Sequence, residues 1–227
     1  MMQNNKRVAV IAAHPDDEIL GCGGTMSRFA AEGAEVFILI LGQGIASRHA
    51  AGSAISKKLT ALRQCGRQAA ARVKAKAIEF LDFPDNRFDT VPMLDIVKAV
   101  ETFLNEVRPE TVFTHNADDL NVDHQIVAQA VMTATRPLPE STVREVYAFE
   151  VSSSSEWNFG TPFSPNVFID ISGHLDAKKK AMAEYVAEIR EYPHPRSLKG
   201  IEALASYRGG QSGVFCAEAF SLVRIVK

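Results

Sequence analysis

Arg7 to Ala13 (RVAVIAA) is an unbroken apolar run. A strand of that kind is stable only when both of its faces are covered, which is the situation inside a parallel sheet sandwiched by helices. The pattern then repeats. Ile19 to Glu32 has helix-like content and closes at Gly33, a C-cap residue. Glu35 to Leu41 (EVFILIL) reads as the second strand, and Ser56 to Val73 carries Leu, Ala, Arg and Lys at helical spacing. Ala77 to Phe83 (AIEFLDF) reads as the third strand. Pro92 to Val107 reads as an amphipathic helix with Leu94, Ile96, Val97, Val100 and Leu104 near one face, ended by Pro109. Thr111 to Thr114 (TVFT) is a fourth strand and Val122 to Thr135 a fourth helix. Four strand–helix units predict an α/β fold: a mostly parallel sheet, helices on both faces, and right-handed crossovers.

The later chain changes character. Val143 to Phe149 and Asn166 to Ile171 read as strands that extend the sheet, and His174 to Glu191 as a helix. Between the two strands lies a Ser-rich loop, Val151 to Pro165, with Trp157, the one tryptophan of the chain. After Tyr192 come Pro193 and Pro195, and then a tail read as loop-rich up to Phe215. With 227 residues, 46% of them hydrophobic, there is enough apolar material for one sizeable core, so a single domain over residues 1–227 is expected.

Composition excludes several classes of function. The formal net charge is −2 and no long basic run is present, which argues against nucleic acid as a partner. No apolar stretch approaches the roughly 20 residues of a membrane span. The N-terminal apolar run is short and lacks a secretory cleavage signal. The three cysteines, Cys22, Cys65 and Cys216, are too far apart for a metal knuckle and odd in number, so a reduced cytoplasm is the expected compartment.

The first strand ends in Ala13-His14-Pro15-Asp16-Asp17-Glu18. Ligands bind beyond the carboxyl ends of the strands in sheets of this type. A histidine and a carboxylate together suit a borderline-soft divalent ion such as Zn²⁺, and an adjacent second carboxylate can take a proton from water. The plainer alternative is that Asp16 or Asp17 caps the next helix, a role that needs only one of them. Glu18 is either a supporting residue behind the site or a partner of the helix dipole. The run Gly21-Cys22-Gly23-Gly24 departs from the dinucleotide fingerprint, since Met26 stands where its last glycine belongs, and is read instead as allowing close helix–sheet approach.

The fourth strand runs into His115 and then to Asn121-Val122-Asp123-His124 at the start of a helix. This loop can lie beside the first at the same sheet edge. His124 can supply a third protein ligand, three being the number a catalytic zinc site uses. Asp123 can orient a histidine by accepting its second ring proton. His115 either contacts substrate or oxyanion, or makes a structural hydrogen bond. Arg48, Asp85, Asn86 and Arg87 follow the second and third strands on the same edge and are candidates for holding a substrate. The loop bearing Trp157 is read as a pocket wall or an oligomer contact, and Tyr192 to Arg196 as pocket rim or subunit interface.

These residues resemble the LmbE-like (PIG-L) deacetylases. Ala12 to Gly24 is the most specific part; Phe83-Pro84-Asp85-Asn86-Arg87 and Ala217-Glu218-Ala219-Phe220 are supporting matches. The resemblance implies a Rossmann-like fold and hydrolysis of N-acetyl groups on glucosamine-type compounds. It implies one divalent ion per chain, Zn²⁺ or another such as Fe²⁺, held by His14, Asp17 and His124. It implies Asp16 as general base, Arg48 as a substrate contact, and association into a homo-oligomer. In one place the chain departs from the family. Many members have His-Pro-Asp-His at the second motif, the first His helping to stabilise the oxyanion, and here Asn121 takes that position. The oxyanion donor is then His115 or Asn121. Two other readings stay open: a phosphoester hydrolase, which would need a larger ligand set for two ions, and a metal-stabilised sugar-binding module, which would have no use for a non-ligating Asp16.

Overall fold

The computed structural model describes residues 6–45 and 53–227. The strands are β1 (Arg7–Ala12), β2 (Glu35–Gly42), β3 (Ala77–Phe83), β4 (Thr111–His115), β5 (Glu145–Phe149), β6 (Val167–Asp170) and β7 (Ala217–Ile225). The helices are α1 (Asp17–Ala31), α2 (Ser53–Arg72), α3 (Met93–Val107), α4 (Val122–Ala134), α5 (Leu175–Glu184) and α6 (Leu198–Ser212). All seven strands form one sheet in the order β3-β2-β1-β4-β5-β7-β6. The first five strands are parallel, as the strand–helix alternation predicts; β7 runs antiparallel to both of its neighbours. Among the described residues, no helix is long and apolar enough to cross a membrane.

The apolar run of β1 divides its residues between two cores, because successive side chains point to opposite faces of a strand. Val8, Val10 and Ala12 join Ile19 and Met26 of α1, Leu62 and Ala69 of α2, and Met182 of α5. Ala9, Ile11 and Ala13 join Ile96 and Val100 of α3 and Val127 and Val131 of α4. The glycines of α1 behave as the sequence implies. A Cβ at Gly21 would lie 2.4 Å from the Phe149 ring and one at Gly24 2.7 Å from Ile171, so the helix lies too close to the sheet for any side chain there.

The second half differs from its sequence reading. The expected helix 174–191 stops at Glu184, because Tyr185 leaves helical geometry and buries its ring, its hydroxyl donating to Glu18 Oε1 at 2.6 Å. The tail read as loop contains α6. Its Gly200, Gly209 and Gly210 lower helix propensity, but Ser197 Oγ caps the start by accepting the Gly200 N–H at 2.9 Å and Gly213 ends it at φ 76°. The segment after Cys216 is β7, which wedges between β5 and β6, so those two strands share the sheet without pairing.

β7 also carries a buried charge. Glu218 Oε1 accepts the Gly24 N–H at 2.9 Å and Oε2 the Thr25 N–H at 2.7 Å, and Lys178 Nζ of α5 donates to Oε1 at 2.6 Å and to the Leu20 carbonyl at 2.7 Å. Both side chains are buried, so the pair fixes α1, and with it the turn before α1, against the end of the sheet. Removing one member of a buried pair strands the other charge, at a cost of about 3 kcal/mol or more. Lys178→Met is therefore expected to lower unfolding free energy by that order in urea titrations. A loss below about 1 kcal/mol would mean that the two backbone N–H groups alone sustain the carboxylate.

Candidate metal centre and its surroundings

The turn between β1 and α1 is strained. Asp16 has φ 103°, a left-handed conformation that non-glycine residues rarely adopt. Glu18 holds it, its Oε2 accepting the Asp16 N–H at 3.0 Å while Oε1 takes the Tyr185 hydroxyl. Burial pushes the Glu18 pKa up to about 8. Asp16 occupies the N-cap position of α1 but makes no side-chain cap bond. Its carboxylate turns to Arg196, whose Nη1 donates to Oδ2 at 2.9 Å. Capping, the plainer reading of Asp16, is therefore absent.

Asp17 lies at the centre of the cluster. Its Oδ2 accepts the His14 N–H at 2.9 Å and stands 3.4 Å from His14 Nδ1 and 3.2 Å from His124 Nε2. Donors about 2.0–2.2 Å from a tetrahedral ion are separated by roughly 3.3–3.5 Å, so these spacings fit an ion among the three side chains. One donor atom from each of His14, Asp17 and His124 lies within 4.8 Å of the others, and all three residues are buried.

A second group, His14, Asp85 and Asp123, meets the same distance limit, but its bonding is that of a support. Asp123 Oδ2 accepts the Asn86 N–H at 2.6 Å and Oδ1 the Phe88 N–H at 2.9 Å. The contact of His14 Nε2 with Asp123 Oδ2, at 2.9 Å, has hydrogen-bond length. Asp123 thus orients His14 and turns its Nδ1 toward Asp17. Asp85 is buried, with Oδ1 3.4 Å from His14 Nε2 and accepting from Asn86 Nδ2 at 3.1 Å. Asn121 caps α4, its Oδ1 accepting the Asp123 N–H at 2.9 Å and its Nδ2 donating to Asn86 Oδ1 at 3.1 Å. Asn86 and Arg87 are exposed. Arg48 lies outside the described residues.

His115 is buried behind the ligands. Its Nε2 accepts the Ala13 N–H at 2.8 Å, and its ring stacks on His124 with centroids 4.0 Å apart. Of the two sequence readings, the structural hydrogen bond is present through Nε2, while Nδ1 has no hydrogen-bond partner among the described residues; the ring is 1% exposed.

Sequence assigns Asp119 no role, and reads the Ser-rich loop and the Tyr192–Arg196 segment only as pocket wall, rim or subunit contact. Asp119 Oδ1 stands 3.0 Å from His124 Nδ1 and orients that ring as Asp123 orients His14. Ser154 and Ser155, from the loop after β5, donate their hydroxyls to the two Asp119 oxygens. Arg196 reaches Asp16 from the chain segment before α6. The carboxylate beside His124 is visible in the sequence as an acidic loop, Asp118-Asp119; the Tyr192–Arg196 segment reads there as pocket rim or subunit interface, without the partner of Arg196.

The electrostatics follow from burial among opposed charges. Burial by itself would lower the His14 pKa, but hydrogen bonds to Asp123 and Asp17 raise it to about 10. His124 likewise rises to about 9 against its burial, through the charge of Asp17 and the bond to Asp119. His115, with burial and the neighbouring His124 charge acting together, is held well below its ordinary value and is neutral. Burial raises the Asp16 pKa to about 7, partly offset by Arg196. The cluster therefore attracts positive charge, and a divalent ion with neutral imidazoles can replace the protons. Asp119→Ala is expected to weaken Zn²⁺ binding about 10- to 100-fold by competition against a chromogenic chelator. An unchanged affinity would show that packing alone orients His124.

Residues 9–135 match the family model described as "PIG-L: GlcNAc-PI de-N-acetylase". A "1D-myo-inositol 2-acetamido-2-deoxy-alpha-D-glucopyranoside deacetylase" of Rhodococcus erythropolis is 29% identical over 255 aligned positions, covering 85% of this chain and 84% of the relative. Among solved structures, the N,N'-diacetylchitobiose deacetylase from Pyrococcus horikoshii superposes with a TM-score of 0.79 at 18% identity, over 98% of this chain and 85% of that one. A 4-carboxy-2-hydroxymuconate hydratase from Pseudomonas putida superposes with a TM-score of 0.76 at 22% identity, over 98% of both chains. Both superpositions speak to the fold alone.

Proposed function

The chain belongs to the PIG-L family of GlcNAc-PI de-N-acetylases, and from that premise we propose that it hydrolyses the N-acetyl group of an N-acetylglucosamine-type amino sugar or its conjugate. The products are acetate and a free amine. We assign one Zn²⁺ to His14, Asp17 and His124. The observation that carries the reading is Asp16: a buried carboxylate beside the candidate ligands, outside the ligand set and turned away from helix capping. A site that only binds has no need of it.

When bound, the ion supplies Lewis-acid polarisation of the acetamide carbonyl and acidifies water at the site. Asp16 takes a proton from the attacking water as its oxygen bonds to the carbonyl carbon. The C–N bond then breaks, and the same carboxyl returns the proton to the leaving nitrogen. The strained turn and Arg196 fix where Asp16 points: Oδ2 is held at 2.9 Å by the guanidinium, and Oδ1, without a hydrogen-bond partner among the described residues, is the oxygen we assign to the proton exchange. A pKa raised by burial to about 7 suits a group that must both accept and release a proton near neutrality. Asp123 and Asp119 hold the two imidazoles in orientation. With His115 committed to the backbone, Asn121 and its partner Asn86 are the amides we assign to the substrate-facing rim, joined there by Arg87 and Asp85 and, from the loop after β2, by Arg48.

The first test is acetate release from a panel of N-acetylated amino sugars. Activity is expected to vanish with chelator and return with Zn²⁺. Release that is indifferent to chelator would overturn the metal-dependent reading, and a stoichiometry near two ions would move Asp85 and Asp123 into a second ligand set. In Asp16→Asn, turnover should fall by about 10²- to 10⁴-fold with metal content unchanged. Metal lost from that variant would make Asp16 a ligand.

A further inference from the structure

A cavity of about 580 Å³ opens between α2 and the turn that follows α5. Its floor is apolar: Ile45 and Leu62 line it, with the Cys65 thiol and the buried ring of Tyr185. Glu188 and Arg190 form its other side. Neither Asp16 nor any of the three candidate ligands lines it, so it is distinct from the metal centre. Two of its wall residues nevertheless hold Asp16. The Tyr185 hydroxyl donates to Glu18 Oε1 at 2.6 Å, and Glu18 Oε2 accepts the Asp16 N–H at 3.0 Å. Glu188 Oε2 stands 3.5 Å from Arg196 Nη1, which donates to Asp16 Oδ2 at 2.9 Å. One line of bonds reaches the Asp16 backbone and the other its carboxylate, and both begin on the same short turn. Val186, between the two wall residues, is 77% exposed and also lines the cavity, so little packing resists a shift of this turn.

The walls specify the chemistry of a guest. A cavity of this volume, mostly apolar with a few polar groups at its edge, is the ordinary form of a small-molecule site. Its apolar side chains are mainly aliphatic, which suits a hydrocarbon chain. Arg190 commits Nη1 to the carbonyls of Ala187 and Ile189, at 2.7 and 3.1 Å. Its Nε and Nη2 make no hydrogen bond among the described residues, and a guanidinium edge of that kind pairs well with a carboxylate. Lys58 adds a second cation to the same wall.

We propose that this cavity is a regulatory site for a medium-chain aliphatic carboxylate, with the chain on Leu62 and Tyr185 and the head group on Arg190. Filling it displaces the Tyr185–Glu188 turn, loosens both lines of bonds to Asp16 and slows turnover. Binding stands on the cavity alone; the effect on turnover rests on the deacetylase reading above.

The probe is decanoate, kept below its micelle concentration, with decyltrimethylammonium as the control of opposite charge, and the protein is the Zn²⁺-loaded full chain. Calorimetry is expected to show saturable binding of decanoate and none of the ammonium. Arg190→Gln should weaken it roughly three- to tenfold. Ala61→Trp, which sets a ring into the cavity from α2, should abolish it. Cys65 reports the location: in Cys216→Ser, with Cys22 buried, saturating decanoate should slow alkylation of Cys65 by N-ethylmaleimide at least about fivefold. It should also lower kcat roughly three- to tenfold with sugar KM within about twofold, and speed amide exchange at Asp16. No saturable binding, or binding that survives Ala61→Trp and leaves Cys65 reactive, would overturn the site. A rise in KM alone would put the carboxylate at the metal centre, and binding with kcat and amide exchange both unchanged would overturn the regulation. If no sugar releases acetate, it is the deacetylase reading that fails, and amide exchange at Asp16 still decides the coupling.

Discussion

The buried carboxylate of Asp17, wedged between the imidazoles of His14 and His124, is the interaction on which the rest of this structure depends. Taking a carboxylate and two imidazoles out of water is costly unless their charges oppose. Each imidazole therefore has a second carboxylate behind it, Asp123 for His14 and Asp119 for His124. Those in turn are satisfied by backbone N–H groups and serine hydroxyls. Among the described residues, Asp16 Oδ1 has no hydrogen-bond partner, and Arg196 limits how far burial can raise the Asp16 pKa.

The parallel half of the sheet brings the two motif loops to one edge, and the antiparallel half locks them. β7 pins α1 through the Glu218–Lys178 pair. Tyr185, just past α5, reaches Glu18 under the strained turn. The loop after β5 clamps Asp119, and the segment before α6 delivers Arg196. Preorganisation of this kind is what a hydrolytic site needs, because a general base misplaced by about 1 Å loses much of its effect.

The fold does not by itself select the reaction. A deacetylase and a hydratase both superpose on this chain over nearly its whole length, as is common for frames that carry different sites. What separates the readings here is local: three candidate ligands, His14, Asp17 and His124, and a further carboxylate, Asp16, outside that set. Asn121 shows how a substitution in the second motif is absorbed. Its side chain caps α4 and reaches Asn86, a role suited to an amide.

The sequence alone determined the parallel half and both motif loops. Its signals there are local: uninterrupted apolar runs that must be covered on two faces, helical periodicity between them, and charged residues stacked where a buried strand ends. It also placed His14, Asp17, His124 and Asp16 in one neighbourhood, since the topology of a doubly wound sheet brings the ends of β1 and β4 together. What only the tertiary structure decided came from contacts far apart in the chain. Arg196 is 180 positions from Asp16, and no periodicity encodes that distance. β7 went unread because its burial comes from pairing with β5 and β6, and α6 because its glycines hide a helix held by packing and caps. For His115 the sequence left two roles open, a substrate or oxyanion contact and a structural hydrogen bond; the bond from the Ala13 N–H to its Nε2 is a contact only the fold could make.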